Sequence, residues 1–258
     1  MNDTAMSTNV FRRGMLAAVA AAVVAASAAG CDASPPGRPT TSTTASPGAG
    51  TSIAAQGESA CTDLGGAVEA DRNCHVRSGT SSYQVDVRFP VDYPDIPAVV
   101  DFLKRDRNAF LDWVAKFGPS GGRGRPYQYL VTARDFRSGT AESGTRSLVL
   151  TIDNDTGLAH EGHPNTTFQA FNFDLGKRVP ITFGTLFKPG TTPLDILNPI
   201  VRRELDAPTA DLDEKTYQNF AITDEAVVFF FGEDQVVPDN AGPHRVTVSR
   251  ADLAAVLA

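Results

Sequence analysis

Runs of basic residues, cysteines and long apolar stretches are all scarce in this chain, and each scarcity excludes something. No cluster of Lys and Arg occurs, and the formal charge is −7 at pH 7 over 258 residues. An acidic chain of this kind lacks the electrostatic footprint of a nucleic-acid binder, and nothing in it would hold the protein electrostatically on anionic lipid. A membrane-spanning helix needs about 20 apolar residues. The main apolar run, Met15–Ala29, is about 15 long. No cofactor and no resident metal is expected.

What is present begins with an export signal. Arg12 and Arg13 precede the apolar run, and Ala28-Ala29-Gly30-Cys31 closes it like a lipobox. Residues 1–30 therefore read as a secretory signal peptide, with Cys31 as the thiol to be lipidated. The expected location is the outer face of the cell membrane, lipid-anchored, with some protein shed. Loss of Arg12, Arg13 and Asp3 with the signal takes the formal charge from −7 to −8. From Cys31 to Glu58 the chain is Ser, Thr, Pro, Gly and Ala with few charges or large apolar side chains. Such a composition does not offset the entropy of ordering it, so a flexible tether of roughly 30 Å reach is expected. Cys61 and Cys74 remain, in an oxidising compartment, and a disulfide between them is expected.

Residues 59–258 read as one α+β domain, mainly an antiparallel sheet packed with two or three helices. Tyr83, Val85, Val87 and Phe89 alternate with Gln84, Asp86 and Arg88, the period of a half-buried strand. From Asp95 the period changes: Ile96, Val99, Val100, Leu103, Phe110, Val114 and Phe117 share one face of a helix that Gly118 stops. Tyr127–Phe136, Arg146–Asp153, Thr166–Asp174 and Val179–Phe183 read as strands, the last pair joined by a turn at Gly176–Arg178. Pro193–Leu205 reads as a second helix, with Pro199 kinking it or marking its start. The unbroken apolar run Ala226–Phe231 suits a strand covered on both faces. Arg245–Val248 is a last strand, and Ser249–Asp252 resembles a capping box opening a terminal helix, Ala251–Leu257.

The residues that could carry chemistry are few. Gly118-Pro-Ser120-Gly-Gly122 matches the G-x-S-x-G pattern of a nucleophile elbow. It follows a helix and precedes a strand, the reverse of that elbow, so a helix-ending loop is expected and catalysis by Ser120 is the alternative. His160, His163 or His244 could serve it as base. His160-Glu161-Gly162-His163 offers ligand atoms, but on a loop or strand two histidines three apart do not share a face. Asp153-x-Asp155-x-Gly157 begins like a calcium loop and then lacks its later ligands. The phenylalanines at 168, 171, 173, 183, 187 and 229–231 are expected in the core.

An ordered series of short motifs is similar to a known family. It runs Cys61…Cys74, Tyr93-Pro-Asp95, HPNTTFQAFNFD (163–174), PIT (180–182), TLF (185–187), YQNFAITDEAVVFFF (217–231), AGP (241–243) and VTVSRADL (246–253). This series resembles the secreted immunogenic antigens of mycobacteria, the MPT/MPB type, and more distantly the RsiV-type C-terminal domain of an extracytoplasmic anti-sigma factor. The resemblance implies an α+β domain outside the membrane and brings no catalytic set. In the anti-sigma relative the domain binds lysozyme. His163 and Pro164 head the family's signature strand and are the expected ligand contacts. The leading expectation is a non-enzymatic envelope module that binds a protein or wall glycan. The alternatives are a serine esterase acting on short acyl esters and a lysozyme-binding sensor or inhibitor.

Overall fold

The computed structural model describes residues 52–118, 125–156, 164–238 and 242–258. Cys31, Ser120, His160 and His163 lie outside these residues, as do the signal and nearly all of the expected tether. Ala49–Ala258 forms one compact unit.

Helix α1 (Ile53–Asp63) opens the described fold, capped by the Ser52 hydroxyl, which accepts from the Ala55 N–H at 3.3 Å. Ile53–Glu58 is therefore helical although its composition reads as tether. Gly57 explains why: it is buried, and a Cβ there would overlap the Val91 carbonyl, so the helix lies directly on the backbone after β3. The expected Cys61–Cys74 disulfide then ties α1 to β2 across a Cα–Cα distance of 5.5 Å.

The large sheet has seven strands in chain order: β1 (Ala67–Val68), β2 (Asn73–Gly79), β3 (Tyr83–Pro90), β4 (Tyr127–Ser138), β5 (Thr145–Asp155), β6 (Asn165–Asp174) and β7 (Val179–Pro180). Every neighbouring pair is antiparallel except β3 and β4. Those two are parallel and joined by helix α2 (Ile96–Phe117), a βαβ crossover that the strand and helix periods do not announce. Val85, Val87 and Phe89 of β3 face α2, whose Ile96, Val99, Leu103 and Phe110 complete the larger core. Phe117 departs from the expected apolar face: it is 57% exposed and covers Trp113 at a ring separation of 4.8 Å.

A second, antiparallel sheet is built from β8 (Phe220–Ile222), β9 (Ala226–Phe231) and β10 (His244–Ser249), with β9 central. The unbroken apolar run of β9 is covered on both faces. Val227, Phe229 and Phe231 face a core shared with α3 (Phe183–Leu186) and α4 (Leu194–Glu204), and Phe230 faces the large sheet with Val149 and Ala221. Burying each such Phe is worth about 2–3 kcal/mol. Helix α4 runs through Pro199 and buries Leu197 and Val201.

Two segments differ from the sequence pattern. The strand expected over Val179–Phe183 pairs only through Pro180, because Thr182 and Thr185 form a capping box that starts α3. The terminal helix is replaced by turns. Ser249 Oγ does accept from the Asp252 N–H at 3.1 Å, but Leu257 then bridges to Phe187 as extended chain.

Candidate functional site

Register decides which side chains share the outer face of the large sheet. Across β4, β5 and β6 the rows are Phe136–Ser147–Asn172, Arg134–Val149–Ala170, Thr132–Thr151–Phe168 and Leu130–Asp153–Thr166. The small sheet covers the first row and is fastened there by polar ties. Ser147 Oγ accepts from the Ile222 N–H at 3.0 Å, and the Asn172 amide donates to the Phe220 carbonyl at 2.9 Å. The remaining rows run out from under that cover toward the end of the sheet where β4 begins and β5 turns back.

A trough of about 310 Å³ opens at this boundary. Its floor is Val149, Thr151, Thr166 and Phe168; its far wall is Phe230, Pro243 and Arg245; Arg134 stands on the near side. Phe168 and Phe230 meet at 5.4 Å between ring centres. Thr166 is fixed from both directions: its hydroxyl donates to Asp153 at 2.7 Å and its carbonyl accepts from the Glu233 N–H at 3.0 Å. Arg134 and Arg245 are exposed, come from different sheets, and carry no ion pair or hydrogen bond among the described residues. Guanidiniums beside an aromatic wall offer a small ligand both charged and apolar contacts.

The same end of the sheet carries the flanks of the sequence-predicted loops. Arg125, just after the Gly118–Gly122 segment, pairs with the buried carboxylate of Asp155 at 2.8 Å, just before the segment holding His160 and His163. Gln128 lies opposite Asp155, and Asn154 opposite Asn165. Pro164, the described member of the expected contact pair, therefore precedes β6 at this end. His244 opens β10, with its Nε2 buried and unpartnered. No serine or threonine hydroxyl is hydrogen-bonded to a histidine among the described residues, and no three His, Cys, Asp or Glu side chains among them are arranged to hold a metal ion.

Two further places compare poorly with the trough. A cleft of about 350 Å³ between β7 and the small sheet is lined by Thr145, Val179, Ile181, Ile222, Lys177 and Arg250. Its cations are already engaged: Lys177 pairs with Asp174 at 3.4 Å, and Arg250 donates to Ser138 Oγ and the Thr223 carbonyl, both at 3.3 Å. At the other edge of the sheet His75, which no sequence motif marks, is buried with Nδ1 2.7 Å from Glu69 and Nε2 2.8 Å from Asp86. Arg88 lies against its ring at 3.0–3.3 Å. That cluster ties the residues around β1, β2 and β3 together.

Known proteins resemble the chain at three levels. A family described as "Protein of unknown function (DUF3298)" matches residues 184–251. Esterase Rv3036c of Mycobacterium tuberculosis is 42% identical over 200 residues, covering 74% of this chain and 86% of that protein. Immunogenic protein MPB64 of Mycobacterium bovis and immunogenic protein MPT64 of M. tuberculosis are each 33% identical over 207 residues, covering 77% of this chain and 88% of theirs. A crystal structure of a DUF3298 family protein from Pseudomonas aeruginosa covers 71% of this chain and 93% of its own at 15% identity, with a TM-score of 0.44.

Proposed function

The chain belongs to the family of the mycobacterial immunogenic proteins MPB64 and MPT64, and on that footing we propose that it is an exported envelope protein that hydrolyses carboxylic esters at the loop end of its large sheet. One observation carries the reaction class: the relative named an esterase is 42% identical, against 33% for the relatives named as antigens. Supporting it, Arg125–Asp155 joins the flanks of the two segments that hold Ser120 and the histidines 160 and 163. In this reading Ser120 Oγ attacks the ester carbonyl, a histidine takes its proton, the alcohol leaves, and water then releases the acid from the acylated serine.

A second reading is a binding module for a wall glycan or a protein such as lysozyme, without cleavage. It is favoured by the trough, which is already formed, while among the described residues neither arginine is paired and no nucleophile–base pair occurs.

The test is hydrolysis of a chain-length series of acyl esters by Ala49–Ala258 and its Ser120→Ala variant. The expected result is turnover that falls at least about a thousandfold on substitution, the scale of losing a serine nucleophile. Turnover unchanged by the substitution would move the nucleophile elsewhere. No turnover by either protein would end the hydrolytic reading and leave binding. Anchoring is tested apart: Cys31→Ala should shift the full-length protein from the membrane fraction to the medium, and its retention there would defeat the lipid anchor.

A further inference from the structure

We infer that the trough between the two sheets is a site for an anionic amphiphile, its carboxylate or phosphate held by Arg134 and Arg245 and its apolar part lying on Phe168, Phe230 and Pro243. The inference rests on reading this end of the sheet as functional, but not on hydrolysis taking place there.

The argument starts from what the two arginines leave undone. Elsewhere in the described fold arginines are engaged where carboxylates stand near them: Arg146 with Asp92 and Asp135, Arg125 with Asp155, Arg88 with Glu69. Among the described residues Arg134 and Arg245 have no such partner, although the chain is acidic and carboxylates are plentiful. The nearby Asp153 stands in the same row as Thr166 of the trough floor and accepts its hydroxyl. Each guanidinium offers a planar fork matched to carboxylate or phosphate, and two from opposite walls can grip one anion between them.

The rest of the lining sets the body of the ligand. Phe168 and Phe230 are partly buried and buried respectively, so they are a fixed apolar surface rather than mobile side chains. Thr151 adds a hydroxyl to the floor. At about 310 Å³ the space lies at the small end of ligand pockets. With about 30 Å³ per water-sized group, it takes roughly ten heavy atoms. An eight-carbon chain with an acidic head fits; a bare anion would leave the aromatic wall unused, and a neutral chain would leave both arginines unused.

The experiment measures displacement of radiolabelled octanoate, used as the probe, from Ala49–Ala258 by unlabelled octanoate, octyl phosphate, octanol and inorganic phosphate. Octanoate and octyl phosphate should displace the probe at concentrations at least about tenfold below those needed for octanol or inorganic phosphate. Arg134→Gln and Arg245→Gln should each weaken the two anionic competitors by about tenfold and leave octanol unchanged. Arg77→Gln, at an exposed ion pair on the far edge of the sheet, should change nothing. Added salt should weaken the anionic competitors alone. Equal competition by octanol would overturn the anionic half, and competition by inorganic phosphate as strong as by octyl phosphate would overturn the apolar half. Arginine variants that bind like the parent would overturn the whole. Far-ultraviolet circular dichroism checks that both variants stay folded, and an esterase-negative protein that still passes these tests separates this site from the hydrolytic reading.

Discussion

Arg146 is the side chain whose removal tests most of the fold's logic at once. It is 6% exposed, at the start of β5, yet its partners lie on the loop after β3 and on β4. Nε donates to Asp135 at 3.0 and 3.2 Å, Nη1 to the Asp92 carbonyl at 2.7 Å and Nη2 to the Asp92 carboxylate at 2.8 Å. Its guanidinium also stands 5.7 Å from the ring centre of Tyr93. Burial pushes the guanidinium toward losing its proton, but the hydrogen bonds and charges of Asp135 and Asp92 outweigh this and raise its pKa.

Breaking a fully buried ion pair costs about 3–5 kcal/mol. Here the carboxylates of Asp92 and Asp135 are 49% and 31% exposed, so water can rescue them. Arg146→Ala should therefore cost about 2–3 kcal/mol, with the Asp92 carbonyl and the lost packing on Tyr93 included. For a domain of this size each kcal/mol lowers Tm by about 2–4 °C, giving a fall of about 4–12 °C. Arg146→Lys keeps the charge but not the fork, and should recover no more than about half of the loss. Urea unfolding followed by fluorescence of Trp113, the single tryptophan, measures both. A cost under about 0.5 kcal/mol would place Arg146 among ordinary surface pairs. Full recovery by Lys would mean that charge, not bidentate geometry, holds the loop.

Two further substitutions probe decisions that run against simple propensity. Gly57→Ala in the middle of a helix would ordinarily add up to about 1 kcal/mol of stability. Here the new methyl would overlap the Val91 carbonyl, so urea unfolding should show a net loss of about 1–3 kcal/mol; a gain would refute the close approach of α1. The Asp174 carboxyl is held below its ordinary value of 3.8, chiefly by the Lys177 backbone N–H at 2.8 Å. A folded-state value below the unfolded one gives stability that is present above about pH 4 and is lost as pH falls through the folded value. Asp174→Asn should thus be less stable than the parent at pH 7, with the gap closing below about pH 4; a gap independent of pH would refute the assignment.

The parts of the fold that the sequence exposed are those with one strong period. Alternation through Tyr83–Phe89 and the helical spacing from Ile96 to Val114 both report one buried face against one solvent face, and both elements stand where the pattern put them. The run Ala226–Phe231 was equally legible because two cores need an apolar residue at every position. Helix α1 was not, since only Gly57 and Cys61 of its residues are buried and its hold on the fold is a close backbone approach and a disulfide. Phe117 carries the right spacing but stands at the last turn of α2, beyond the reach of the sheet. The trough was hidden for a different reason. Arg134, Phe168, Phe230 and Arg245 sit on four strands of two sheets, and only the register of β4, β5 and β6 and the docking of the small sheet bring them together. The Arg125–Asp155 pair joins the residue that follows the elbow-like motif's segment to one that precedes the segment of His160 and His163, while the motif's Ser120 and both histidines lie outside the described residues.

The disulfide acquires a mechanical meaning from its position. Any pull arriving along the chain ahead of Ile53 enters the domain through α1, whose few buried side chains resist peeling weakly. Peeling can proceed only as far as Cys61, where the covalent bond to Cys74 hands the load to β2. Strand β2 is laced to β3 from Asn73 to Gly79, so the force then acts on a whole ladder of hydrogen bonds. Extension before that point is limited to the residues from Ile53 to Ala60, about 3.5 Å each when drawn straight. A domain fastened in this way can be tugged by its surroundings, give by a short fixed length, and stop without exposing its core.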